Sequence, residues 1–315
     1  MKFPSPSSAE AVVSITGLCR RFGSKTALQE VSLYVPRGGV FGLVGANGAG
    51  KTTLIKHILG LLRAESGSVR VFDVDPVADP VGVLGRIGYL SEQPDLPGWM
   101  RVDELMRYTQ AFYPKWDMAY AEKLREQFGL DPAARLKTLS KGQQAKAGLL
   151  AAQAHRPDLL LLDEPSSGLD PIVRRDILEA VIHTVADEGR TVFFSSHLLE
   201  EIERVSDHIA MLHEGKLVMC GSLDEIKLQH RCFILRFPTT QTKPPVIAGA
   251  LSVSGMGREW SVMCNGARNE LPARALQMGA EIVEERFPSL NEIFVAHAGV
   301  TASARANSEE QTTAH

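Results

Sequence analysis

Gly45-Ala-Asn-Gly-Ala-Gly50-Lys51-Thr52 is the stretch whose reading decides the fold. Just ahead of it, Val40 to Val44 (VFGLV) is a short apolar run bounded by glycines, which predicts a buried parallel strand. Just behind it, Thr52 to Leu62 places Leu54, Ile55, Ile58, Leu59 and Leu62 on one helical face. Strand, glycine loop and helix thus follow directly, and the loop matches G-x-x-x-x-G-K-[ST] in full. In that pattern glycines let backbone amides turn inward around phosphate oxygens, and the helix adds its partly positive N-terminus. The expected phosphate cradle comprises Gly45, Asn47, Gly48, Ala49, Gly50, Lys51, Thr52 and Thr53. Lys51 suits the β- and γ-phosphates of a nucleotide such as ATP, and the Thr52 hydroxyl suits a Mg²⁺ ion.

Two further apolar runs end in polar residues. Leu159 to Leu162 leads into Asp163-Glu164-Pro165, and Thr191 to Phe194 leads into Ser195-Ser196-His197. Open α/β sheets bind ligands at the carboxyl ends of their strands, so all three runs point to one site. Asp163 at a strand end is placed to hold a metal ion, and Glu164 beside it to polarise an attacking water. Short apolar runs alternate with helical stretches from Val12 to about Gln229, the mark of an α/β domain.

The chain's 315 residues suggest about two domains at roughly 150 residues each. Hydrophobic residues at 44% and charged residues at 23% exclude wholesale disorder and collagen-like repeats. A net charge of −3 argues against a nucleic-acid binder with a broad basic face. The four cysteines form no CxxC pair, so neither a zinc site nor a disulfide framework is expected, and a reducing cytoplasm fits them. Met1 to Glu10 lacks the apolar core of a secretory signal. No stretch approaches the roughly 18 apolar residues of a membrane span, so work at a membrane requires a partner. Residues 1–11 read as a flexible leader and 12–229 as the large α/β domain. Residues 230–299 read as a small α+β unit and 300–315, poor in large apolar side chains, as a disordered tail. Within the small unit, strands are expected at Phe233 to Phe237, Trp260 to Cys264 and Ala280 to Phe287. Pro238 to Pro245 reads as a loop or linker, and Ser289 with Glu292 as the capping box of a short final helix.

The order of motifs resembles that of ATP-binding-cassette (ABC) ATPases, P-loop proteins with an α/β core. The motifs are the P-loop, Leu139-Ser140-Lys141-Gly142-Gln143, LLLLDEP, Ser167-Gly168-Leu169-Asp170 and Ser195-Ser196-His197. The resemblance covers roughly residues 12–229 and is closest to the ATP-binding subunits of bacterial ABC-2-like exporters. It implies a cytoplasmic ATPase, peripheral to the cell membrane, that dimerises over MgATP and drives a separate transmembrane permease. The dimer would be this chain twice or this chain with a related cassette; no nucleic-acid partner is implied. By position, Phe22 matches the aromatic that stacks on adenine. Ser140, Gly142 and Gln143 match the signature that meets a γ-phosphate held by another subunit. Asp170 belongs to the loop linking the two sites, and with Pro171 it also reads as a helix cap. His197 matches the histidine that contacts the γ-phosphate, with Glu164 as its catalytic neighbour.

Two positions depart from the family pattern. Lys141 stands where glycine is common. Glu92 stands at the usual glutamine position with Gln93 next, and the resemblance makes either one a candidate for the Mg²⁺ shell. Between about 92 and 155 the resemblance implies a helical subdomain whose groove receives the transmembrane subunit. Of its aromatics, most are expected in the core, while Trp99 between Pro97-Gly98 and Met100 is expected to face a partner. A soluble ABC ATPase that remodels DNA or ribosomes is the competing class. One P-loop and no room for a coiled coil between Thr52 and Ser140 weigh against it. A cassette that binds ATP without turnover is disfavoured because Asp163, Glu164 and His197 are all present.

Overall fold

The computed structural model describes residues 11–186, 189–266 and 270–297. The tail expected at 300–315 lies outside them, as does the leader apart from Ala11, which begins the first strand. The chain forms two compact units, 1–220 and 221–315.

In the first unit, β1 (Ala11–Phe22) pairs antiparallel with β2 (Lys25–Pro36) and with β4 (Ser66–Val71). A six-stranded sheet carries β3 (Gly39–Val44) near its centre. Its other strands are β5 (Ile87–Leu90), β6 (Leu159–Asp163), β7 (Thr191–Ser196), β8 (His208–His213) and β9 (Lys216–Ser222). They run in the order β5-β6-β7-β3-β8-β9. β3 pairs in parallel with both β7 and β8, and β6 with β7. Strands flanked on both sides and covered on both faces need continuous apolar runs, which is why VFGLV and LLLL carry no alternation. Register aligns Val44 with Ser196 and Asp163 with Ser195, so three strand ends sit side by side.

Helix α1 (Lys51–Ile58) follows β3 and fills the space beneath the antiparallel sheet. Its Leu54, Ile55 and Ile58 join Val13, Ile15 and Leu33 from that sheet and Phe41, Leu161 and Phe193 from the parallel one. The helix is shorter than the Thr52–Leu62 expectation. Gly60 takes a left-handed φ of 71°, and a Cβ there would lie 2.3 Å from the Pro76 carbonyl, so the chain turns away. Between 92 and 155 lie α3 (Val102–Gln110), α4 (Met118–Gln127) and α5 (Lys141–Gln153), with α2 (Pro80–Leu84) upstream. The aromatics here divide more evenly than expected. Trp116 is buried and Tyr113 stacks on His155, but Tyr108 and Phe112 are exposed, edge to face at 5.1 Å. Both stand on α3, whose Val102, Leu105 and Met106 already fill its buried face. Helix α6 (Pro171–Ala186) starts on the Asp170 cap, whose Oδ1 accepts from the Ile172 and Val173 amides.

The second unit begins at Gly221, earlier than the boundary expected at 229/230, so α8 (Leu223–Gln229) belongs to it. α7 (Leu199–Val205) lies in the first unit. β10 (His230–Gln241) is the middle strand between β11 (Ala250–Asn265) and β12 (Glu281–Arg286), all antiparallel. α9 (Glu270–Gln277) covers the face formed by Phe233, Leu235, Trp260 and Val262 with its Leu271 and Ala275. The stretch read as a linker from Pro238 is strand as far as Gln241. Pairing is interrupted between Arg236 and Gln241, so the missing Pro238 N–H leaves no ladder bond unmade. The final helix at 290–297 starts on the capping box: Ser289 N–H donates to Glu292 (2.8 Å), and Glu292 N–H to Ser289 Oγ (3.3 Å).

Inside this unit His230 Nδ1 lies 2.7 Å from the Ile226 carbonyl, an acceptor, so Nδ1 carries the proton. Its Nε2 therefore accepts from His297 Nε2 at 3.0 Å. Burial lowers the pKa of both rings, that of His297 to about 4. At pH 7 both are neutral in the folded chain, whereas unfolded histidine takes its proton near 6.5. Their contribution is complete above that value and is lost as pH falls toward the folded values. Amide exchange in β10, corrected for intrinsic rates, should show weaker protection at pH 5 than at pH 7. Equal protection would contradict the neutral pair.

Candidate functional site

The P-loop is shaped by contacts that exclude side chains. A Cβ on Gly45 would lie 2.5 Å from the Leu212 carbonyl, and one on Gly50 2.6 Å from the Ala27 carbonyl. Gly50 also takes φ 109° as the N-cap of α1, a conformation that glycine reaches without strain. Asn47 and Gly48 are exposed at the tip of the loop, Ala49 is buried, and Thr52 and Thr53 occupy the first turn of α1.

Lys51 is 5% exposed and points back into the loop it follows. Its Nζ donates to the carbonyls of Gly45 (2.5 Å) and Ala46 (3.2 Å) and pairs with Glu164 Oε1 at 2.9 Å. The other Glu164 oxygen lies 2.5 Å from His197 Nδ1. The carboxylate is thus held between two cation-capable groups, the one from the P-loop and the other from the end of β7. Glu164 itself has φ 51°, a left-handed conformation that costs energy outside glycine. Ser195 over-determines it: Glu164 N–H donates to Ser195 Oγ (3.0 Å), and Ser195 Oγ donates to Asp163 Oδ1 (2.8 Å). Burial pushes the Asp163 carboxyl above the usual carboxylate range, and the neighbouring Glu164 charge acts the same way. Hydrogen bonds from Ser195 and Thr52 oppose that shift. Thr52 and Asp163 therefore meet, a hydroxyl and a carboxylate with hard oxygen donors only.

Ser140 and Gln143 form a capping box at the start of α5. Gln143 N–H donates to Ser140 Oγ (3.2 Å), and Ser140 N–H donates to Gln143 Oε1 (3.0 Å). Gly142 lets α6 approach, for a Cβ there would lie 2.9 Å from the Val173 methyls. Asp170 is exposed, Phe22 is 47% exposed at the end of β1 under the Arg20 guanidinium, and Glu92 and Gln93 lie on an exposed loop after β5. The P-loop, Asp163, Glu164 and His197 are thus brought together. The signature residues stand on the helical segment.

A buried network next to this site was invisible in the sequence reading. Glu201 Oε2 accepts from Ser166 Oγ (2.8 Å) and Ser196 Oγ (2.7 Å), and its Oε1 pairs with Arg174 Nε at 3.2 Å. It ties the segment after Glu164 to the segment before His197. Glu201 sits among Glu200 and Glu203 and looks like any acid of an exposed helix. Only its place beside Ile202 and Val205 on the buried face of α7 sets it apart.

A glycine loop joining a central parallel strand to a helix, with two acids at an adjacent strand end, defines a P-loop nucleotide hydrolase. The ABC transporter family matches over residues 28–167. The chain is 31% identical over 239 residues to the bacitracin transport ATP-binding protein BcrA of Bacillus licheniformis, covering 75% of this chain and 78% of BcrA. It is 27% identical over 288 residues to the ABC transporter ATP-binding protein YtrB of Bacillus subtilis (strain 168), covering 91% and 98%. The fold is shared with MJ0796, a bacterial ABC transporter cassette solved as a dimer, at 21% identity and a TM-score of 0.60 over 67% of this chain and 98% of that one. The chain belongs to the ABC transporter family, as an ATP-binding, ATP-hydrolysing subunit of the exporter type.

Proposed function

We propose that this chain is the motor of an exporter whose transport path lies in a separate membrane-spanning subunit. It would work as a dimer at the cytoplasmic face of the cell membrane, with MgATP at each composite site. The observation that carries the reading is the Lys51–Glu164–His197 cluster at the mouth of the P-loop. Nucleotide phosphates compete with Glu164 for Lys51, so binding frees the carboxylate for its second task. Glu164 then takes a proton from water as the water oxygen attacks the γ-phosphorus. The bond from phosphorus to the bridging oxygen breaks, giving ADP and phosphate. His197 Nδ1–H orients the carboxylate in this step.

Thr52 and Asp163 fit Mg²⁺, which favours oxygen donors and takes few from the protein. Glu92 or Gln93 would complete that shell. When bound, the ion neutralises charge building on the β- and γ-oxygens. Phe22, half exposed, offers a face for the adenine ring. Ser140, Gly142 and Gln143, at the start of a 13-residue helix, offer hydroxyl, amide and positive helix end to a partner's γ-phosphate. Asp170 would link the two sites of a dimer, the state in which the MJ0796 cassette was solved.

No described helix is long and apolar enough to cross a membrane, and the reading places the path in another subunit. Trp99, 69% exposed, together with the exposed Tyr108 and Phe112, suits an apolar partner helix. Copurification from mild detergent tests the reading against a soluble remodelling ATPase. A multi-spanning membrane protein should accompany the chain; recovery with ribosomes or DNA alone would overturn it.

A further inference from the structure

The two residues that depart from the family pattern, Lys141 and Glu92, meet on a third. Lys141 Nζ donates to the Ser167 carbonyl at 2.9 Å, and the Ser167 hydroxyl donates to Glu92 Oε1 at 3.0 Å. The Ser167 N–H donates to the Glu164 carbonyl at 3.0 Å. One residue, three positions beyond the catalytic glutamate, is therefore gripped from the first turn of α5 and from the loop after β5. Gly168 makes room for the grip: it takes φ 64°, and a Cβ there would lie 2.6 Å from Lys141 Nζ. The cation Lys141 and the anion Glu92 stand at the two positions that depart from the common pattern. They hold the two polar ends of one serine.

We propose that Lys141 and Glu92 act together as a latch on Ser167, tying the helical segment to the loop that carries Glu164 until nucleotide is bound. The proposal rests on the reading above in one respect: Glu92 leaves Ser167 when it turns to the metal-bound triphosphate. A contact that Glu92 must give up to reach the triphosphate lowers apparent affinity by the fraction of molecules it holds closed. Each arm is an exposed hydrogen bond and weak alone. Because both arms seize the same residue, each preorients Ser167 for the other, and losing one devalues the second. Lys141 and Ser167 are positioning residues in this account.

The test is a titration of the full chain with a fluorescent ATP analogue and Mg²⁺, using Lys141→Ala, Ser167→Ala, the double variant and Lys141→Arg. Each single alanine variant should bind about 2- to 10-fold more tightly, the range set by one net hydrogen bond. The double variant should bind little better than the stronger single, because contacts in one network do not add. Lys141→Arg, which keeps a charged donor, should stay near wild type. Unchanged or weaker binding in the single variants, or fully additive gains, would overturn the latch. Melting curves for each variant separate these outcomes from misfolding. If the wild-type chain fails to bind the probe, the nucleotide site itself is refuted, a result distinct from failure of the latch.

Discussion

Replacing Glu164 by glutamine should leave ATP bound and cut its turnover by about 10²-fold or more, the usual worth of a positioned general base. The amide keeps the shape of the carboxylate and its capacity to meet His197, but it cannot take a proton from water. A second consequence follows from the ion pair with Lys51, whose Nζ lies 2.9 Å from Glu164 Oε1 in a buried setting. A neutral residue there leaves the lysine charge without its partner, which raises the energy of the nucleotide-free state. Phosphates restore a partner, so Glu164→Gln should bind MgATP more tightly than the natural chain. Phosphate release measures the first effect and a nucleotide titration the second. Wild-type turnover in the variant would move the catalytic role to another residue.

Lys51→Ala should act on the opposite side of the cycle and weaken ATP binding by about 10- to 100-fold, the value of a charge-assisted hydrogen bond. The amide cradle survives, because Gly45 and Gly50 are positioned by contacts with Leu212 and Ala27 that do not involve the lysine. What disappears is the cation matched to the β- and γ-phosphates. The variant also strands the buried Glu164 carboxylate with His197 alone. Unchanged affinity in a direct titration would show that the P-loop is not where the triphosphate sits.

The parts of the site legible in the sequence are those that strand ends dictate. VFGLV, LLLLD and TVFFSS are apolar because they are flanked and covered, and their last residues must emerge at one edge. That logic alone places the P-loop, Asp163, Glu164 and His197 together. It fails where one side chain reaches across the fold. Glu201 takes its meaning from Ser166, 35 residues earlier, and Ser167 from Glu92 and Lys141, at separations of 75 and 26 residues. No local period carries such pairings. Boundaries slipped for local reasons: Gly60 ends α1 early against Pro76, and Pro238 is tolerated within β10 where pairing lapses.

The central claim is that one ATP is enclosed by two subunits, the P-loop of one and the α5 N-terminus of the other. A twofold assembly of this kind is self-complementary, and linkage requires that ATP favour it. Glu164→Gln isolates the claim, because it removes turnover while keeping the nucleotide. Light scattering of that variant should report a monomer without nucleotide and a dimer in saturating MgATP. A strictly monomeric variant at high MgATP, with nucleotide demonstrably bound, would contradict the two-copy site.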